Sequence, residues 1–236
     1  MDWKHLASKL FPEGHTIEEK DSLLFGMAKV NGETITVMGT TNHTPIGFEL
    51  ALAQAKVVLQ TVREFPKRSI LILIDTEGQR LRRLDEMLGI NRAMAHLGKC
   101  LDLARRSHHK IIGLVYDQAL SGGFITSGLM ADACYALPES LIRVMGLAAM
   151  ARITKVPEEK LTELAAVNPV FAPGPKNYER MGGIEAIFEG DLAEKLKKAL
   201  QGATPLDRRS LLGEERGGRN LTHSIIQAVL NETITT

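Results

Sequence analysis

Tyr116-Asp117-Gln118-Ala119-Leu120-Ser121-Gly122-Gly123-Phe124 joins the apolar run Ile111-Ile112-Gly113-Leu114-Val115 to a segment that reads as a helix, Phe124 to Met130. Paired glycines where a strand gives way to a helix leave backbone N–H groups bare. With no Cβ in the way, an anion or a polarised carbonyl oxygen can come close to them. This is the layout of an oxyanion hole and points to chemistry on an acyl group, with Gly122 and Gly123 as the candidate donors.

Upstream, Ile70-Leu71-Ile72-Leu73-Ile74 is an unbroken apolar run, the signature of a strand covered on both faces. It stops at the polar loop Asp75-Thr76-Glu77-Gly78-Gln79. Apolar residues at helical spacing predict helices over 47–62 and 85–106, and Asn31-Gly32 marks a tight hairpin between 23–30 and 33–39. Strands alternating with long helices imply right-handed βα crossovers into one α/β sheet. Ligands of such sheets lie beyond the carboxyl ends of the strands. The loops at Thr76–Gly78 and Ser121–Gly123 are therefore expected to be neighbours that build one site. Short strands are expected at 135–137 and 141–145, and helices at 147–152, 157–167, 178–188, 192–200 and 221–230. The Gly217-Gly218 pair reads as a linker.

The chain has 236 residues, 44% hydrophobic and 24% charged, the balance of an ordinary globular protein. A net charge of +1, from 29 basic and 28 acidic residues, gives no reason to expect nucleic acid or a membrane surface as a partner. The first residues lack the apolar stretch of a signal peptide, and no run reaches membrane-spanning length, so a cytoplasmic protein is expected. Cys100 and Cys134 sit in apolar segments and read as buried free thiols. No CxxC or Cys/His cluster suggests a metal site, and none is expected.

Ile74-Asp75-Thr76-Glu77-Gly78, a helix, and then Ser121-Gly122-Gly123-Phe124 resemble the carboxyltransferase branch of the crotonase-like superfamily, which has an Asp-Thr-Pro-Gly loop and a Ser-Gly-Gly turn in the same order. Longer segments narrow the match: 94–97, 100–106, 129–138, 144–146, 169–174 and 177–183 are similar to the γ subunit of biotin-independent malonate decarboxylase. Asp117 stands where glycine is usual in that family. The resemblance implies a crotonase-like fold of repeated ββα units with a helical C-terminal region. It places a carboxyltransferase-type domain at 1–202, helical from about 147, and a helical tail at 203–236.

In function, the resemblance implies a subunit that pairs with a homologous β subunit in a complex, expected to be a heterotetramer, that includes an acyl carrier protein. The carrier holds malonate as a thioester on a CoA-like prosthetic group. The β–γ pair releases CO₂ and leaves the acetyl thioester, with no biotin, no metal and no cofactor bound covalently to this chain. Loss of CO₂ leaves an enolate whose charge gathers on the thioester oxygen, where preorganised N–H donors act most strongly. Gly122 and Gly123 are the expected donors. Thr76, Glu77, Gly78, Gln79 and Ser121 are expected to line the substrate, the 76–79 loop supplying a further donor or holding the departing carboxylate.

Other readings remain open at this point. The chain fits a carboxyltransferase subunit moving CO₂ to or from biotin, or a scaffold whose glycines merely shape a partner's site. Ala119-Leu120-Ser121-Gly122-Gly123 also approximates the nucleophile elbow of a serine hydrolase, which needs a histidine beside Ser121. His96, His108, His109 and His223 are available, but none has a motif-like setting; His108-His109 reads as a solvated helix end. A simpler role for Ser121 is to cap the next helix. Arg80, Arg82, Arg83, Lys99, Arg105, Arg106 and Lys110 read as solvated faces, or as a docking surface for an acidic carrier protein or a CoA-like phosphate. Asp75 and Glu77 are candidate acids for protonating the enolate, or loop caps.

Overall fold

A computed structural model describes residues 1–167, 174–218 and 221–232. In chain order the elements are α1 (Trp3–Leu10), β1 (Glu18–Lys20), β2 (Leu23–Val30), β3 (Glu33–Thr40), α2 (Phe48–Glu64), β4 (Ile70–Thr76), α3 (Arg83–Leu88) and α4 (Ile90–Arg106). There follow β5 (Ile111–Leu120), α5 (Ser121–Thr126), a 3₁₀ turn at Gly128–Met130, β6 (Ala133–Ala136), β7 (Leu141–Arg143), α6 (Leu147–Thr154) and α7 (Glu158–Val167). The last are α8 (Pro175–Arg180), β8 (Ala186–Ile187), α9 (Leu192–Gly202), α10 (Arg209–Glu215) and α11 (Thr222–Glu232).

The strands form one sheet in the order β1-β2-β3-β4-β5-β6-β8, with β7 extending beside β5. β1, β2 and β3 pair antiparallel, as the Asn31-Gly32 hairpin requires; β3, β4, β5, β6 and β8 are parallel. Every residue of β4 is buried, because apolar layers cover both faces of the sheet. On one face, Leu71, Leu73, Leu114 and Tyr116 pack with Leu6 and Leu10 of α1 and Leu196 of α9. On the other, Ile70, Ile72, Ile74 and Val115 pack with Val58 of α2, with Leu97 and Leu101 of α4, and with Phe124 of α5. The mixed α/β sheet matches the expected fold class.

Several elements differ from expectation for local reasons. The helix expected over 85–106 breaks at Gly89, whose φ of 81° no helix tolerates, into α3 and α4. Buried Asp85 then serves another element: its Oδ1 accepts the Phe48 N–H at 2.9 Å and caps α2, whose N-cap Gly47 has no side chain to do so. The helix expected over 178–188 stops at Arg180, because Gly182 adopts φ 77° and the chain turns into β8. The helix expected from Phe124 to Met130 begins earlier, at Ser121, and gives way to the 3₁₀ turn at Gly128. The 169–173 part of the resembling segments lies outside the described residues.

Residues after Ala203 are not uniformly detached. The Arg216 guanidinium donates to the carbonyls of Glu179, Ile184 and Glu185, at 2.8, 3.0 and 2.8 Å, and Leu212 is buried. By contrast α11 has no buried residue. Cys100 and Cys134 are buried free thiols, as expected.

Leu73 sits fully buried at the middle of β4, so Leu73→Ala is expected to cost about 2–5 kcal/mol of stability. Urea unfolding followed by circular dichroism measures this directly.

Candidate functional site

The site forms where β4 and β5 end. Their register is regular from Ile70↔Ile111 to Ile74↔Val115, and the next pair is Thr76↔Ala119, so one residue of β4 faces three of β5. The excess chain, Tyr116-Asp117-Gln118, bulges. Asp75 holds the bulge: its Oδ1 accepts the Gln118 N–H at 3.3 Å, and its Oδ2 accepts the His43 N–H at 2.9 Å. Burial pushes the Asp75 carboxyl above its ordinary value, although the His43 N–H, the His43 charge and the Gln118 N–H all work against the rise. A carboxyl raised on folding costs stability in its ionised form, so a nearby positive charge is favourable.

Thr76 organises the following loop. Its Oγ1 donates to the Thr44 carbonyl at 2.7 Å and accepts the Gly78 N–H at 3.0 Å. The Glu77 N–H goes to the His43 carbonyl at 3.2 Å. In this loop, expected to supply a further donor or to hold the departing carboxylate, the Glu77 and Gly78 amides are both engaged within the protein. Glu77 itself is exposed, and Asp75 is a loop cap rather than a free acid.

The two expected loops do meet. A Cβ built on Gly123 falls 2.9 Å from Gly78 Cα, and one built on Gly78 falls 2.9 Å from Ser121 Cβ. Only glycine allows backbone this close. Gly122 touches side chains instead: its N–H donates to Gln79 Oε1 at 3.1 Å. The Gly122 donor is thus not bare, as expected from the sequence, but covered by an amide carbonyl on a side chain that can rotate away. That carbonyl lies where an acyl oxygen accepting the same N–H would lie. The helix behind it, α5, has six residues, so donation rests on individual N–H groups rather than on a large macrodipole.

Ser121 does not cap α5. The N-cap is Leu120, with no side-chain capping bond, and Ser121 opens the helix at φ 51°. Non-glycine residues rarely adopt that conformation. Among the described residues no histidine hydrogen-bonds Ser121. His96 contacts Cys100, and His223 lies near Glu214. His109, expected as a solvated helix end, is buried, with Nδ1 against the Arg68 carbonyl at 2.8 Å; only His108 is exposed. The geometry therefore lacks a serine-hydrolase pair. The basic residues are also less free than a solvated face suggests. Arg82 pairs with Asp85 at 2.6 Å, and Arg105 pairs with buried Asp132 at 2.9 Å.

A cluster that the sequence did not reveal borders the loop. His43 Nε2 lies 3.3 Å from Asp117 Oδ1 and 3.6 Å from Asp75 Oδ1. Burial alone works to raise the Asp117 carboxyl, but the Met1 ammonium and His43 outweigh it and hold the group below its ordinary value. Its three members come from three separate segments, so no spacing motif could have signalled it.

The sheet, the bulged strand and the joined Gly78 and Gly122-Gly123 turns define a crotonase-like subunit of carboxyltransferase type. The chain matches the model of the malonate decarboxylase gamma subunit over residues 41–233. A relative from Malonomonas rubra, the malonyl-S-ACP:biotin-protein carboxyltransferase MADD, is 31% identical over 203 residues, 77% of this chain and 70% of the relative. Among solved structures, a Pseudomonas malonate decarboxylase hetero-tetramer in complex with coenzyme A superposes with a TM-score of 0.79 at 25% identity, covering 96% of this chain and 97% of the other. The transcarboxylase 12S core shares the fold, with a TM-score of 0.72 at 20% identity over 86% of this chain and 41% of the other. The chain belongs to the malonate decarboxylase gamma subunit family and is a malonate decarboxylase subunit.

Replacing Gln79 by Ala uncovers the Gly122 N–H. A neutral hydrogen bond contributes about 0.5–1.5 kcal/mol, so exchange of the Gly122 amide with deuterium is expected to quicken about 2- to 10-fold, with the melting temperature nearly unchanged. Native-state exchange followed by NMR or mass spectrometry reads this.

Proposed function

We propose that this subunit, paired with a homologous β subunit, decarboxylates a malonyl thioester carried on an acyl carrier protein, giving the acetyl thioester and CO₂ without biotin. The observation that carries the proposal is the Gly122 N–H, presented to an amide carbonyl at 3.1 Å beside the Gly78 loop. A substrate oxygen takes that position when Gln79 swings aside. As the carbon–carbon bond breaks, its electron pair spreads onto this oxygen, the N–H stabilises the developing charge, and a proton from water then reaches the α carbon to give the acetyl thioester. One such donor is worth roughly 2.7–4 kcal/mol of barrier. Gly123 is proposed as the adjacent donor. Thr76, Glu77, Gly78 and Ser121 hold the loops that frame the substrate, and Gln79 lies against it.

Two further features support a second subunit over the site. Both site segments carry exposed apolar side chains: Leu81 just past Gln79, Leu84 and Met87 on α3, and Ile125 on α5. Apolar groups gathered at a site suit burial by a partner. The Pseudomonas relative has been solved as an MdcD–MdcE hetero-dimer, 25% identical with a TM-score of 0.76. No described helix is long and apolar enough to cross a membrane; a cytoplasmic complex accords with this.

A second reading has one specific observation in its favour: the Malonomonas rubra relative is named as a carboxyltransferase acting between malonyl-S-ACP and a biotin protein. In that reading the same N–H groups stabilise the same enolate, and the carboxyl group is passed to biotin instead of leaving as CO₂.

Gly122 and Gly123 separate chemistry from folding. A Cβ at Gly122 meets only the flexible ends of Gln79 and Met94, at 3.0 and 3.5 Å, whereas one at Gly123 meets Gly78 backbone at 2.9 Å. Gly122→Val is expected to fold and assemble with its partner while CO₂ release falls about 100-fold or more. Gly123→Val is expected to lose stability as well. The measurements are CO₂ release from malonyl carrier protein by the reconstituted complex, and thermal unfolding. Full activity in Gly122→Val overturns the proposal; activity that appears only with a biotinylated acceptor favours the second reading.

A further inference from the structure

Three segments distant in sequence converge at His43, Asp75 and Asp117, and their facing ligand atoms all lie within 4.8 Å of one another. We propose that these three side chains form a binding site for one divalent transition-metal ion, of which Zn²⁺ is the best-suited example. The proposal concerns residues outside the glycine turns and stands whether or not the decarboxylase mechanism above is correct.

The spacing carries the first part of the case. Four donors around a zinc ion at about 2.0–2.1 Å stand roughly 3.3–3.5 Å from one another. The His43 nitrogen lies 3.3 and 3.6 Å from the two carboxylate oxygens, so small side-chain adjustments close the set around a metal. The donor types carry the second part. One imidazole nitrogen with two carboxylate oxygens suits a borderline ion such as Zn²⁺. Mg²⁺ and Ca²⁺ prefer shells made of oxygen alone, so the imidazole nitrogen of His43 favours a borderline ion over them. Three protein ligands leave a fourth position for water.

The surroundings already hold the ligands in place. Asp75 is buried and fixed by the N–H groups of His43 and Gln118, the kind of outer contact that orients a ligating carboxylate. Asp117 uses Oδ2 for the Met1 ammonium at 2.8 Å and turns Oδ1 toward the His43 ring. The strand bulge sets this arrangement, because it brings Asp117 to the level of Asp75. An ion can reach the site: His43 and Asp117 are partly exposed, and Asp117 borders a hollow of about 570 Å³ lined by Tyr116, Leu137, Pro138 and Phe188.

The test uses the full-length chain, freed of metal with EDTA and titrated with ZnCl₂ by calorimetry. Co²⁺ serves as a spectroscopic substitute and MgCl₂ as the hard-ion control. The expected result is one equivalent of Zn²⁺ bound at micromolar affinity or tighter, a visible Co²⁺ spectrum of four-coordinate type, and no saturable Mg²⁺ binding. His43→Ala and Asp117→Asn, both at partly exposed positions, are each expected to weaken Zn²⁺ binding at least about 10-fold in a chain that still folds cooperatively without metal. His223→Ala, far along the chain, is expected to bind as the parent does. Undiminished binding in both site variants assigns the metal to surface histidines and overturns the proposal. Absence of saturable binding overturns it too.

Discussion

A single buried carboxylate sets the geometry of this molecule's working end. Asp75 takes one N–H from the His43 segment and one from Gln118, and so joins three chain segments at the end of β4. Without those bonds the Gln118 amide lies unpaired inside a bulge, and nothing on β4 compensates for the extra residues of β5. An ionisable group in this position is costly, since its carboxyl is driven upward by burial. The compensation is positional: the displaced register brings the Leu120–Ser121 turn alongside Gly78, where the two glycine turns touch.

That contact explains why glycines stand at these positions. Gly123 has no room for even a methyl group against Gly78, and Gly78 has none against Ser121. Gly78 also adopts φ 101°, which no side chain accommodates without strain. Gly122 differs, having only side-chain ends nearby. Its freedom is consistent with a position kept small for something that binds there rather than for packing alone.

The sheet was legible in the sequence because its signals are local. The unbroken apolar run at 70–74, the Asn31-Gly32 turn and the helical periodicities each report on a few neighbouring residues. The meeting of the two glycine loops was legible as well, since parallel βα units must place successive strand ends side by side. Features that depend on distant partners were not. Asp85 reads as a helix residue but caps a helix that starts 37 residues earlier. His109 reads as a solvated end but sits beneath the Arg68 carbonyl. Gln79 reads as part of a polar loop, and only the folded chain shows its amide on the Gly122 N–H. The bulge at 116–118 has no signature, because Tyr-Asp-Gln continues a plausible strand.

Gln79 also bears on selectivity between ground state and transition state in the proposed mechanism. At rest the Gly122 N–H has a neutral amide as its acceptor, an interaction worth about 0.5–1.5 kcal/mol net. A neutral thioester oxygen is no better an acceptor, so displacing Gln79 gains the bound substrate little. An oxygen that gathers enolate charge is a far stronger acceptor, worth roughly 2.7–4 kcal/mol to such a donor. The side-chain carbonyl therefore takes away most of the ground-state benefit of the N–H while leaving much of its transition-state benefit. Only the interaction that strengthens as the bond breaks speeds the reaction, and a self-covered donor favours that difference over tight binding of the uncharged substrate.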